Sequence, residues 1–331
     1  TRKESSAASD VYKRQNQTGA IILSLIILTG SVLLWDVTHQ KISIDEADSP
    51  TSASGSGEWL VWVEESEGGV SITAGNVTSQ TNRTVGGQEW VETPDVVSSG
   101  RSFVIFDNHS VDYFEHNQES GALQPIFAES FEEEIIDISI PTDSNGQEHL
   151  AILTTTDLQL VDTSDNSVSF VDLNSNSSVV ASSGSLVAVS EKSESGPLVN
   201  ITSIDSELTI SIALDPRSSE RIEASIVNSG TYLDFQNSTI VDLVMDSNWL
   251  VATVDVGPFN RTILVDTLSI NQTLISNPRW DSSSPSIGEG RVAFLQVTRD
   301  DILSITSSSP RNNDVYVLSL IHISEPTRRT P

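Results

Sequence analysis

One short pattern recurs along this chain and limits what it can fold into: a turn carrying glycine or small polar residues, then a strand apolar at consecutive positions. Its fullest copy is Ser284-Pro-Ser-Ile-Gly-Glu-Gly-Arg-Val-Ala-Phe-Leu-Gln-Val297, in which a short strand precedes the turn. Consecutive apolar residues, as from Val292 to Leu295, mark a strand buried on both faces. Weaker copies are Gly57-Glu-Trp-Leu-Val-Trp-Val63, Gly100-Arg-Ser-Phe-Val-Ile-Phe106, Gln147-Glu-His-Leu-Ala-Ile-Leu153, Gly184-Ser-Leu-Val-Ala-Val189 and Asp246-Ser-Asn-Trp-Leu-Val-Ala-Thr253. With Leu60, Phe103, Leu150, Val187, Leu250 and Val292 as the equivalent repeat-core positions, the spacings are 43, 47, 37, 63 and 42. Four of the five lie near the ~40–50-residue period of units built from four strands.

The segments between copies alternate polar and apolar, as in Gly69-Val-Ser-Ile-Thr73, Leu158-Gln-Leu-Val-Asp162 and Thr262-Ile-Leu-Val-Asp266. The stretches Asp162-Thr-Ser-Asp-Asn166 and Asp266-Thr-Leu-Ser-Ile270 carry turn chemistry. No helical period appears after Trp35, so the chain is expected to be all-β. The 63-residue interval contains Ala224-Ser-Ile-Val-Asn-Ser-Gly-Thr-Tyr-Leu-Asp-Phe235, which imitates the repeat too close to the next copy. An inserted hairpin or half-blade is expected there, over about residues 214–240.

Pro285-Ser-Ile-x-x-Gly-Arg-Val-Ala-Phe294 followed by Asn313-Asp-Val-Tyr-Val317 resembles the TolB-type, WD-repeat-like propeller repeat of microbial surface proteins. Pro94-Asp-Val-Val-Ser-Ser-Gly100 carries half of it. The resemblance covers about residues 58–317 and implies a β-propeller of about six four-stranded blades; a seventh, cut off at the C-terminus, is the alternative. It implies no particular activity, since one fold hosts many.

The two ends read as related by reverse complementation of their possible codons. Asp10-Val-Tyr-Lys-Arg-Gln15 can be encoded by GAT GTG TAT AAG AGA CAG, whose reverse complement encodes Leu318-Ser-Leu-Ile-His-Ile323. Both ends resemble translated sequencing-adapter DNA, so residues 1–15 and 318–331 are expected to be foreign to the fold and residues 16–317 a fragment of a natural protein. Residues 16–36 form the expected transmembrane anchor or signal segment. Residues 37–57 are the expected linker, containing Lys41-Ile-Ser-Ile44, a strand that would close the ring against the last blade.

Charge excludes some partners. The formal net charge is −29. Setting the adapter-like ends aside removes six basic and three acidic residues and leaves 11 against 43, a net of −32. Such a surface repels nucleic acid and anionic lipid. Residues 19–35 are uncharged and, at 17 residues, reach the short end of a bilayer span. A single-pass cell-membrane protein with an extracytoplasmic domain is therefore expected, a secreted one being the alternative. Eight N-x-[ST] sites in the domain agree: Asn76, Asn82, Asn108, Asn176, Asn200, Asn237, Asn260 and Asn271. There is no cysteine.

Catalytic motifs are absent: no G-x-S-x-G, H-E-x-x-H, P-loop or G-x-G-x-x-G occurs. No catalytic, cofactor-binding or metal-ligating residue is assigned. Asp107, His109, Asp112, Glu115 and His116 crowd one hairpin, but alternation sends Asp112 and His116 to one side and His109 and Glu115 to the other. No cofactor is expected; calcium is the single candidate, at Glu132-Glu-Glu134 or Asp143-Ser-Asn-Gly-Gln-Glu148, and a charged loop is the better reading of both. Trp59, Trp62, Trp249 and Trp280 are expected in packing between blades, with sugar stacking as the alternative. The functional expectation is a non-catalytic binding or scaffold module for a protein or surface glycan on the propeller face. A polysaccharide-acting enzyme with acids near the channel, or the propeller of a longer peptidase, is the alternative.

Overall fold

The computed structural model describes residues 51–320 except 67–68, 87–89, 91–92, 119–120, 174–176, 195, 207, 229, 231 and 298–313. The expected membrane segment, the strand at 41–44 and the N-terminal adapter-like residues lie outside these. Among the described residues no helix is long and apolar enough to cross a membrane.

Six antiparallel sheets follow one another, each paired in chain order. Blade 1 comprises β1 (Ser52–Ser56), β2 (Trp59–Ser66), β3 (Gly69–Asn76) and β4 (Thr81–Thr84). Blade 2 holds β5 (Asp95–Ser98), β6 (Ser102–Phe106), β7 (Ser110–Glu115) and β8 (Phe127–Ser130). Blade 3 holds β9 (Ile135–Ser139), β10 (His149–Thr154), β11 (Asp157–Asp162) and β12 (Val168–Asp172). Blade 4 holds β13 (Val180–Ser183), β14 (Leu186–Ser193), β15 (Gly196–Ser203) and β16 (Thr209–Ala213). Blade 5 holds β17 (Thr239–Asp246), β18 (Trp249–Asp255), β19 (Asn260–Asp266) and β20 (Asn271–Leu274). Blade 6 shows β21 (Asp281–Gly288), β22 (Arg291–Val297) and β23 (Asp314–Ser319). First strands of successive blades touch one another, β1 with β5, β9 with β13, β13 with β17 and β17 with β21. They are therefore innermost, and the architecture is a six-bladed β-propeller.

Turn chemistry explains why the repeat was visible. In four blades the first and second strands are joined by two residues, the first at positive φ: Gly57 (63°), Gly184 (53°), Ser247 (55°) and Glu289 (49°). Such turns match the twist of the strands they join. Leu60, Phe103, Leu150, Val187, Leu250 and Val292 all occupy the second position of a second strand. Five are fully buried, whereas Leu60 is 41% exposed.

Packing accounts for that exception. Side chains alternate between the two faces of a blade, and five apolar clusters fill the five junctions from blade 1 to blade 6. On β6, Phe103 and Ile105 pack toward blade 1 while Val104 and Phe106 pack toward blade 3. Blade 1 sends Val61 and Val63 toward blade 2, but no described core cluster covers its other face, which carries Leu60. Val315 and Val317 on β23 are exposed for the matching reason.

The innermost strands are held differently. Ser52 Oγ and Ser54 Oγ accept from Val96 N and Ser98 N at 3.3 and 2.9 Å. Asp137 Oδ2 accepts from Val180 N at 2.8 Å, and Ser183 Oγ from Ser247 N at 2.7 Å. A short polar side chain in one blade thus satisfies an amide of the next. Burying such amides unpaired would cost more than the bonds return.

Three expectations change. Residues 52–56, expected in the linker, form β1, because serine-rich strands suit this polar centre. The last strand continues past Val317: Leu318 pairs with Val292, Ser319 with Arg291, and Leu320 is buried beside Val251 and Phe294. Residues 318–320 therefore pack on the domain, contrary to the expected boundary, since Leu-Ser-Leu continues the alternation of Val315-Tyr-Val317. The insert between blades 4 and 5 is not a hairpin but contains a helix, α1 (Glu220–Asn228). It carries the acidic Glu220 and Glu223 in its first turn and buries only Ile226.

Candidate binding cleft

At the end of blades 1–3 where first strands turn into second strands, a cleft of about 560 Å3 opens. Three of its residues, Glu58, Arg101 and Glu148, stand one position before β2, β6 and β10. Equivalent repeat positions thus deliver three charged groups to one place. Blade 2 adds Tyr113, Glu115 and His116 from the end of β7, and blade 1 adds Trp59.

Glu148 is only 8% exposed, and both its oxygens are engaged. Oε1 accepts from Ser99 Oγ at 2.6 Å and Oε2 from Tyr113 Oη at 2.9 Å. Its backbone carbonyl accepts from Thr163 Oγ1 at 2.7 Å. Arg101 Nη1 donates to Gly146 O at 2.9 Å, which leaves the guanidinium at the mouth. His116 is 3% exposed and stacks on Trp59, the ring centroids 4.3 Å apart at 4°. Burial pushes its pKa down to about 4, against the opposing pull of Glu148 and the Ser99 backbone, so the imidazole is neutral at pH 7. Burial, with the Glu148 charge behind it, raises the Tyr113 phenol well above its ordinary value, so it remains a donor.

The arrangement offers an aromatic plane, fixed acceptors and an exposed guanidinium. It suits binding of a hydroxylated ligand better than bond cleavage, because the buried carboxylate already accepts two hydrogen bonds.

The residues singled out from sequence distribute as follows. Asp107 Oδ1 accepts from His109 N and Ser110 N at the opposite end of β7 from His116. Among the described residues no three His, Asp or Glu side chains are placed to share a metal. Asp143 Oδ1 accepts from Asn145 N and Gln147 N, both at 2.8 Å, closing its loop on itself. Glu133 accepts from Thr154 Oγ1 at 3.0 Å and from Thr156. Both proposed calcium loops therefore spend carboxylate oxygens on their own surroundings. Of the sequon asparagines, Asn82, Asn108, Asn237 and Asn271 are exposed, Asn200 and Asn260 half-buried, and Asn76 buried with Oδ1 accepting from Ser79 N; Asn176 lies outside the described residues. Trp62 donates to Glu64 at 3.1 Å, and Trp249 packs at the junction of blades 5 and 6. Near the axis, Asp95, Asp137 and Asp242 come from three first strands. Burial foremost, then the charges of Asp242 and Asp95, lift Asp137 to about 6, while Val180 N and Ile138 N hold its oxygens.

Sequence reading found the His116 hairpin but not its partners Ser99, Arg101, Tyr113 and Glu148 as a group. Aligning the residue two before each repeat-core position would have brought Glu58, Arg101 and Glu148 together.

No protein-family profile matches this sequence, and no curated protein does. Solved structures do. Acylaminoacyl peptidase is similar at a TM-score of 0.53 and 11% identity, over 82% of this chain and 44% of that one. The likeness is one of fold. Hydrazine synthase from Kuenenia stuttgartiensis gives 0.50 and 13%, over 82% and 83%. The Cps50 (Swd1) β-propeller domain of Myceliophteria thermophila gives 0.51 and 10%, over 76% and 81%. This chain spans less than half the length of the peptidase it resembles, and these likenesses establish the propeller alone.

Proposed function

We propose that this chain is a membrane-anchored, extracytoplasmic binding module that takes a neutral surface glycan in the cleft between blades 1 and 3. The observation that carries the reading is the Trp59 ring, backed by His116, beside the immobilised Glu148 carboxylate. A flat aromatic face suits the C–H face of a sugar, and fixed carboxylates and amides suit its hydroxyls. The net charge of −29 disfavours polyanionic ligands. The uncharged residues 19–35 and the exposed sequons support the location. Titration of the purified chain with a panel of neutral oligosaccharides tests this. At least one should bind, and W59A should weaken it by an order of magnitude or more. Equal binding by W59A, or binding of proteins but no glycan, would contradict the reading.

A second reading, the propeller of a longer peptidase, draws on the likeness to acylaminoacyl peptidase. Cleavage of a peptide panel by the chain joined to its full gene product would favour it.

A further inference from the structure

A second cleft, of about 630 Å3, lies at the opposite end of the disc, between α1, the connection from β20 to β21, and blade 6. Its volume falls within the ~300–1,000 Å3 of small-ligand sites. One wall is aromatic. Phe294 in the core stacks on Tyr316 at 5.8 Å, and Tyr316 meets Trp280 edge-on at 6.2 Å. At its base is Gln296, 3% exposed, whose amide nitrogen has no hydrogen-bond partner among the described residues. A buried amide donor left unpaired carries a penalty that an acceptor-bearing ligand would relieve.

Charge sets this cleft apart. In a chain with 46 acidic and 17 basic residues, Arg279 is the one charged side chain among the described residues lining it. Arg279 Nη2 donates to Ser225 Oγ at 2.7 Å, which fixes the guanidinium at the mouth, and among the described residues it forms no ion pair. The walls are pinned from behind: buried Arg261 donates to Pro216 O of the insert at 2.8 Å and to Pro278 O of the connection at 2.9 Å. The site is thus preorganised, which lowers the entropy cost of binding.

We propose that this cleft binds a ligand in which one carboxylate adjoins a ring, the ring lying against Trp280 and Tyr316 and the carboxylate facing Arg279. A planar guanidinium matches a carboxylate bidentately, and a single cation suits a monoanion. The ring comes either from a sugar acid or from an aromatic acid. Calorimetric titration of the full chain with a methyl hexuronoside, the uncharged methyl hexoside of the same sugar, and 3-phenylpropionate separates them.

One of the two acids should bind at least tenfold more tightly than the hexoside, and the tighter acid identifies the ring. R279Q and W280A should each weaken it at least tenfold. W59A should leave it unchanged, which keeps this site's test separate from that of the first cleft. Equal affinity for acid and neutral sugar, full binding by R279Q, or no binding of either acid at 10 mM would overturn the proposal. Should R279Q or W280A fold poorly, R279K keeps the test open: a point charge in place of the fork should retain binding only in part.

Discussion

Replacing Arg261 with methionine is the sharpest perturbation of this fold. The side chain is fully buried and its guanidinium makes four bonds, to Pro216 O, Pro278 O and both oxygens of Glu223, at 2.8 to 3.2 Å. It also lies 5.5 Å from the centroid of Phe235, so it ties the insert, blade 5 and the connection to blade 6 together. Removing one member of a buried pair costs about 3–5 kcal/mol, because the other charge stays behind. Here the Glu223 side chain is 15% exposed and can turn toward water, which places the cost near the lower end. For a domain of this size that is a fall in Tm of roughly 6–10 °C. Thermal unfolding with limited proteolysis is the assay, and the first new cuts should fall within residues 214–238. R261M/E223L should recover most of the loss, since an apolar pair replaces the ion pair without stranding a charge. A fall in R261M of less than about 2 °C, or a double variant worse than R261M, would refute the reasoning.

Other outcomes follow from the same structure. Asp137, raised to about 6, binds a proton more readily folded than unfolded, so its contribution falls as pH rises from about 4 to about 6. Stability should drop by on the order of 2 kcal/mol across that window, and D137N should flatten the drop in urea-unfolding curves. Burial would raise Glu223, but bonds from Arg261 and Ser218 hold it below its ordinary value, so its contribution is present above about pH 4.5 and lost in acid. Ile270 stands at φ 58° in the β19–β20 turn, where a β-branched side chain is strained, and I270G should stabilise by about 1 kcal/mol in chemical unfolding. Truncation after Val317 removes Leu320 from its cluster and should cost about 2–4 kcal/mol relative to truncation after Leu320; equal melting of both would show that residues 318–320 do not pack.

What could be read in advance was whatever is buried on both faces. Val104-Ile-Phe106 and Leu150-Ala-Ile-Leu153 are continuous apolar runs because each lies between two blades, and the short turns before such runs kept the period regular. The inner strand β1 escaped notice because Ser52-Ala-Ser-Gly-Ser56 packs by hydrogen bonds rather than by apolar area, so its composition imitates a linker. The helix escaped because Glu220–Asn228 buries a single side chain and leaves no sustained apolar stripe. The cleft was visible only in pieces. His116 stood out in its hairpin, Trp59 as a repeat aromatic and Glu148 as the end of an acidic loop, and only the closing of blades 1, 2 and 3 side by side joins them.

The most direct test of the binding reading is a crystal structure of the chain with the neutral oligosaccharide that binds it best. A sugar ring should lie over Trp59, with a hydroxyl within hydrogen-bonding distance of Glu148 or Gln147. A ligand bound elsewhere, with the Trp59 cleft empty, would contradict it.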